Sequence, residues 1–164
     1  MNNIVLCGFM GCGKTSVGQE LAKQLSYTFI DTDEIIEKNQ KITIKEIFEK
    51  YGENYFRDLE YNVCKEIANM ENCVISTGGG LMTYERNVRE TKKCSKVIFL
   101  DSSFSVISKR LGEDDTRPLF KDKEKAQKLY DERKEKYLLA ADYMINGDMT
   151  IKETVLAIID VLMK

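Results

Sequence analysis

The octet Gly8-Phe9-Met10-Gly11-Cys12-Gly13-Lys14-Thr15 constrains this chain more than any other stretch, because it completes the pattern G-x-x-x-x-G-K-[ST]. It follows the apolar run Ile4-Val5-Leu6-Cys7, which reads as a strand buried on both faces. Beyond it, Val17, Leu21 and Leu25 recur every four residues, as on a helix with one apolar face. Strand, glycine-rich turn and helix make an anion cradle, in which loop N–H groups and the helix N-terminus converge on a phosphate. Lys14 then reaches the outer phosphates of a nucleotide, and the Thr15 hydroxyl ligates Mg²⁺. Motif and setting together imply a nucleoside triphosphate, with Gly11, Cys12, Gly13, Lys14, Thr15 and Ser16 around its phosphates.

Further strands alternate with helices along the chain. Tyr27-Thr28-Phe29-Ile30 is a second strand, ending in Asp31-Thr32-Asp33. An acidic pair at the carboxyl end of a parallel strand lies on the edge where α/β proteins bind ligands. Two-residue alternation sends Asp31 and Asp33 the same way, beside the phosphate loop. Asp33 or Thr32 could instead simply cap the helix starting Glu34-Ile35-Ile36. Thr43 and Glu46 form a capping box before a helix with Ile44, Ile47, Phe48 and Tyr51 on one face. Phe56, Leu59, Val63, Cys64 and Ile67 stripe the next, with Arg57 near its start beside Asp58 and Glu60. The third strand, Cys73-Val74-Ile75-Ser76-Thr77, runs into Gly78-Gly79-Gly80, where backbone must approach something closely or turn flexibly.

A fourth strand spans 96–100 and ends in Asp101, a second candidate beside Asp31 for assisting magnesium. Ser102 or Ser103 caps the following helix, which carries Val106, Ile107 and Leu111 and stops near Gly112. The polar stretch 112–123, with Arg117-Pro118-Leu119, has the composition of a lid whose arginine swings onto a phosphate. A helix over 125–141 places Arg133 among Ala126, Leu129, Tyr130 and Tyr137, and a guanidinium on such a face needs an anionic partner. Tyr143-Met144-Ile145 is the fifth strand, and Thr150 with Glu153 opens a last helix. The expected fold is one α/β P-loop sandwich over 1–164: a five-stranded parallel sheet with right-handed crossovers and helices on both faces.

Composition narrows the chemistry. The 25 Lys and Arg against 27 Asp and Glu give a net charge of −2, which advertises neither nucleic acid nor an anionic membrane as partner. No leader pattern opens the chain and no apolar run could span a bilayer, so a cytoplasmic location is expected. Five cysteines lack C-x-x-C spacing and read as small buried hydrophobes, although Cys12 in the loop is a candidate for exposure. Histidine is absent, so any proton acceptor must be carboxylate, lysine or water. No Asn-Lys-x-Asp guanine reader is present, and the chain is short for a motor. A small chain with a lid and an acidic pair fits phosphoryl transfer to a small molecule.

These fragments, in this order and over essentially the full length, resemble the shikimate kinase family. The likeness is carried by the loop with Ser16-Val17-Gly18, Asp31-Thr32-Asp33, Phe56-Arg57, Ser76-Thr77-Gly78-Gly79-Gly80, Thr116-Arg117-Pro118-Leu119, and Arg133 with Tyr137. The resemblance implies ATP and Mg²⁺, and transfer to the 3-hydroxyl of shikimate. It implies that Asp33 holds the ring hydroxyls, that Arg57 and Arg133 clamp the carboxylate, and that Gly78, Gly79 and Gly80 line the pocket. Lys14, Asp33 and Arg117 would form the catalytic set, Arg110 would stack near adenine, and Thr15 with Asp31 would serve the metal, Asp31 being preferred to Asp101 on this ground. A sheet order of 2-3-1-4-5, a substrate-binding helical region over about 33–60 and a monomer are also implied. A gluconate-type kinase is the nearest alternative, and a nucleotide switch without acceptor a more distant one.

Overall fold

The computed structural model describes residues 3–111 and 122–164. Five strands, β1 (Asn3–Cys7), β2 (Thr28–Asp31), β3 (Cys73–Ser76), β4 (Ser95–Asp101) and β5 (Tyr143–Asn146), form one sheet in the order β2-β3-β1-β4-β5. Every pairing is parallel. The helices are α1 (Lys14–Leu25), α2 (Thr32–Gln40), α3 (Ile44–Tyr51), α4 (Glu53–Ile67), α5 (Glu85–Lys92), α6 (Phe104–Leu111), α7 (Lys123–Ala140) and α8 (Ile151–Leu162). None of them is long and apolar enough to cross a membrane, among the described residues.

Alternation along the strands explains the three layers. Val5 and Cys7 of β1, Ile75 of β3 and Val97 and Phe99 of β4 join one core with Ile36, Ile47, Phe56, Val63, Ile67, Ile107 and Tyr137. Ile4, Leu6, Val74, Ile98 and Leu100 face the other way, onto Val17 and Leu21 of α1 and Val155 and Ile158 of α8. A strand covered on both sides reads as an unbroken apolar run, which is why β1 has no polar/apolar alternation. The chain leaves β1 for β2 on one side and leaves β3 for β4 on the other. Ligands of open α/β sheets bind beyond the carboxyl ends at such a reversal.

Boundaries moved in several places, each for a local reason. β2 ends at Asp31, whose Oδ1 accepts from the N–H groups of Asp33 (2.9 Å) and Glu34 (3.3 Å). Asp31 is therefore the cap of α2, not Asp33 or Thr32, and Asp33 lies in the first helical turn instead of extending the strand's alternation. Ser103 caps α6, its Oγ accepting from Val106 at 3.3 Å. Asp122 caps α7, so the polar segment expected over 112–123 gives way to helix at Lys123, and positions 112–121 lie outside the described residues. Helix α5 was not anticipated, because its buried residues are Asn87 and Thr91 and no apolar stripe announces it. The boxes at Thr43–Glu46 and the Thr150 cap form as expected.

Asn3 starts β1 one residue earlier than expected and acts as a buried staple. Its Nδ2 donates to the carbonyls of Met70 (2.9 Å) and Ile67 (3.3 Å), and its Oδ1 accepts from Cys73 N–H (3.0 Å). One amide thus joins β1 to the α4–β3 turn and sets the β1/β3 register. Asn3→Ala would strand these buried groups, and we expect a loss of roughly 2–3 kcal/mol. Urea unfolding checks this, and an unchanged midpoint would refute it.

Candidate functional site

The phosphate loop joins β1 to α1 and keeps the shape its glycines permit. Gly13 occupies the N-cap of α1 at φ 96°, a left-handed conformation, and supplies no capping side chain. The first-turn N–H groups of α1 are therefore left to a ligand or solvent. Within the loop, Cys12 N–H donates to the Phe9 carbonyl at 3.1 Å. Lys14 Nζ donates to the Gly8 carbonyl, to the Phe9 carbonyl at 3.1 Å, and approaches Cys12 Sγ at 3.7 Å. Cys12 is only 2% exposed, which corrects the expectation that it faces solvent. The turn points its side chain down into the core above α1, so the loop offers backbone outward and thiol inward.

A cavity of about 280 Å³ opens beside the loop. Gly11, Gly13, Lys14, Thr15 and Ser16 line one side, and Asp31, Asp33, Ser76, Thr77, Gly78 and Gly79 the other. Pairing of Asp31 with Ser76, and of Ser76 with Leu6, brings these strand ends level. Both carboxylates of the acidic pair reach this cavity, through the strand-to-helix turn and not through strand alternation. Asp101 does not line it and pairs with Lys134 at 3.5 Å.

The three consecutive glycines are a seat for side chains. A Cβ on Gly78 would stand 2.6 Å from Asp33 Oδ1, on Gly79 3.0 Å from Arg133 Nη1, and on Gly80 2.5 Å from Arg57 Nη1. None of the three has a positive φ, so the need is room and not dihedral freedom. Asp33, Arg133 and Arg57, from α2, α7 and α4, are thereby laid side by side along one short segment. Thr32 holds the seat in place by accepting from Gly78 N–H at 3.0 Å. Arg110 bridges the Gly11 carbonyl (3.0 Å) and the Gly147 carbonyl (3.2 Å), tying the phosphate loop to the turn after β5. Arg117 lies outside the described residues.

Glu60 is the site residue that sequence reasoning passed over. It is 1% exposed and its Oε1 meets Arg57 Nη1 at 2.6 Å, while the more exposed Glu53 meets Nη2 at 3.4 Å. Phe56 and Tyr84 place their rings 5.3 and 5.1 Å from the same guanidinium. Burial alone would lower the Arg57 pKa, but the Glu60 hydrogen bond and charge raise it above its ordinary value. Burial pushes Glu60 up to about 7 against the opposing pull of Arg57. A signal was present: Glu60 falls on the stripe of Phe56, Val63, Cys64 and Ile67, where a carboxylate demands a buried partner.

A five-stranded 2-3-1-4-5 sheet, a phosphate loop and an acidic cavity facing Lys14 define an α/β protein of the P-loop kinase type. Within that class the chain belongs to the shikimate kinase family, whose family model matches residues 10–163. The shikimate kinase of Helicobacter hepaticus is 45% identical over 163 residues, covering 98% of this chain and 95% of that protein. That of Sulfurihydrogenibium sp. is 46% identical over 149 residues, covering 90% of this chain and 89% of its own. The structure of shikimate kinase from Acinetobacter baumannii in complex with shikimate superposes with a TM-score of 0.90 at 34% identity, covering 99% of this chain and 93% of that one.

Glu60 makes stability depend on pH with a definite sign. Unfolded, it ionises near its ordinary value of 4.5, and folded at about 7, so between these the folded chain keeps a proton that the unfolded chain has lost. Its contribution to stability is therefore greatest at acid pH and falls as pH rises through this window. Glu60→Gln should remove that slope, narrowing the wild type's advantage by about 3 kcal/mol between the two limits. Urea titrations at stepped pH measure it, and parallel curves for the two proteins would refute it.

Proposed function

We propose that this chain transfers the γ-phosphoryl group of ATP to the 3-hydroxyl of shikimate, giving shikimate 3-phosphate and ADP on the chorismate route to aromatic amino acids. The observation that carries the reading is the row of Asp33, Arg133 and Arg57 on Gly78–Gly80, whose Asp33 end shares a cavity with Lys14. A small ring with hydroxyls at one end and a carboxylate at the other matches that order of charges. Planar guanidinium forks suit a carboxylate through bidentate hydrogen bonds. The Asp33 carboxylate would accept from the acceptor hydroxyl and orient it toward the phosphate.

On the nucleotide side, the N–H groups of the loop from Gly11 to Ser16 would hold the phosphates, and Arg110 would lie at the adenine end. Lys14 would exchange the Gly8 and Phe9 carbonyls for phosphate oxygens. Thr15 and Asp31 line one cavity and suit Mg²⁺, an ion that keeps most of its waters and takes few protein ligands. Bound there, it would neutralise charge on the phosphates. Transfer through a loose transition state needs positioning and charge neutralisation more than early proton removal. Arg117 would add positive charge from the segment before α7, and closure there would exclude water as a wasteful acceptor. We further propose one P-loop kinase domain over 1–164, acting in the cytoplasm as a monomer.

A coupled assay of ADP release tests this directly: release should depend on shikimate, and ATP turnover indifferent to shikimate would refute it. Arg57→Ala and Arg133→Ala should each raise the shikimate KM by at least about tenfold, since each removes charge-assisted hydrogen bonds. Normal KM in both variants would remove the carboxylate clamp. Arg117→Ala should lower kcat by roughly a hundredfold or more while altering shikimate KM little, as for arginines that act on the transition state. The reverse pattern would take Arg117 out of the catalytic set.

A further inference from the structure

Tyr137 does not line the cavity beside the phosphate loop, yet its surroundings tie it to the glycine row. Its side chain is 1% exposed, and its ring packs on Phe99 of β4 with centroids 5.3 Å apart. Its hydroxyl donates to the Gly79 carbonyl. Arg133 stands one turn earlier on the same face of α7, with Nη1 3.0 Å from where a Gly79 Cβ would be and Cζ 5.9 Å above the Phe9 ring. The Arg133 charge lies near the Tyr137 phenol. Burial holds the phenol well above its ordinary pKa despite the nearby Arg133 charge, so it stays a donor at every working pH.

We propose that Tyr137 is a positioning residue: its hydroxyl fastens the Gly79 carbonyl to α7 and so holds the Arg133 guanidinium on its seat. This rests on the reading that Arg133 receives the substrate carboxylate. Arg57 is fixed by Glu60 and Glu53, whereas Arg133 makes no ion pair among the described residues. A long side chain without an ion pair among the described residues has many rotamers to lose when substrate arrives. Seating it beforehand lowers that cost, which is preorganisation. The bond that seats it is the Tyr137–Gly79 contact, because Arg133 packs on the same residue whose carbonyl Tyr137 holds. Loss of the hydroxyl would leave that carbonyl without its donor and free the segment to shift under Arg133.

The test is Tyr137→Phe, which preserves the ring and its packing, made alone and together with Arg133→Ala. Alone, it should raise shikimate KM roughly 5- to 10-fold, the worth of one hydrogen bond. The ATP KM and kcat should stay within about twofold, because the contact acts on binding of a remote group. In the Arg133→Ala background it should add no further rise, since the side chain it positions is gone. KM is read only from folded enzyme, so partial unfolding does not mimic the effect. Equal multiplicative losses in both backgrounds, or a parallel rise in ATP KM, would make Tyr137 a merely structural residue and overturn the proposal. If Arg133→Ala raises shikimate KM and Tyr137→Phe does not, only the Tyr137 role fails. If Arg133→Ala itself leaves KM unchanged, the carboxylate assignment fails first.

Discussion

The arrangement of this site depends on a segment of backbone that carries no Cβ atoms. Asp33, Arg133 and Arg57 come from three helices far apart in the chain, and their heads meet only because Gly78, Gly79 and Gly80 let them lie against the main chain. The sheet supplies the other half of the constraint. β3 sits between β2 and β1, so the segment that follows it lies between the acidic turn after β2 and the phosphate loop after β1. A carboxylate, a guanidinium and a guanidinium set in turn along Gly78, Gly79 and Gly80, the carboxylate sharing a cavity with the Lys14 ammonium, follow from topology and from the absence of three methyl groups.

The two arginines are electrostatically unequal, and the inequality has a use. Arg57 is held by a buried carboxylate at 2.6 Å and a half-exposed one at 3.4 Å, with aromatic rings near its guanidinium. Its position is thus set by the protein. Burying Glu60 costs desolvation free energy that the ion pair only partly offsets, as its raised pKa records. Arg133 lacks such a carboxylate among the described residues and lies over the Phe9 ring instead. Under the proposed reading, a cation anchored by its own carboxylate beside one without an ion pair among the described residues would suit a substrate carboxylate.

Much of this was legible in the sequence, for identifiable reasons. The strand–loop–helix unit carries its own chemistry in Gly8 to Thr15, and five apolar runs separated by helical spacing leave few alternatives to a parallel sheet. What stayed hidden was polar and tertiary. Asn3 looks like the residue before a strand until its amide is seen joining three segments. Helix α5 buries Asn87 and Thr91, so periodicity of apolar residues could not find it. Asp31 was recognised as functional but not as a cap, since a carboxylate at a strand end serves both roles with the same spacing. Gly78–Gly80 announced a close approach without naming the partners, which are side chains from distant helices.

The phosphate loop illustrates how one residue can maintain a binding shape and also use it. Lys14 Nζ lies against the Gly8 and Phe9 carbonyls and near Cys12 Sγ, closing the turn upon itself. Cys12 is buried beneath, and Arg110 braces the Gly11 carbonyl from outside, so the backbone between them is held from both sides. Were Lys14 to move to a phosphate, its ammonium would exchange neutral carbonyl acceptors for an anionic one, adding direct charge–charge attraction to hydrogen bonds that its own charge already assists. The N–H groups at the start of α1 would gain partners in the same step. The exchange would therefore favour the phosphate without requiring the loop to refold. Under the proposed reading, binding free energy would be left for alignment of the γ-phosphoryl group with the hydroxyl that Asp33 presents, the quantity on which a loose transition state depends.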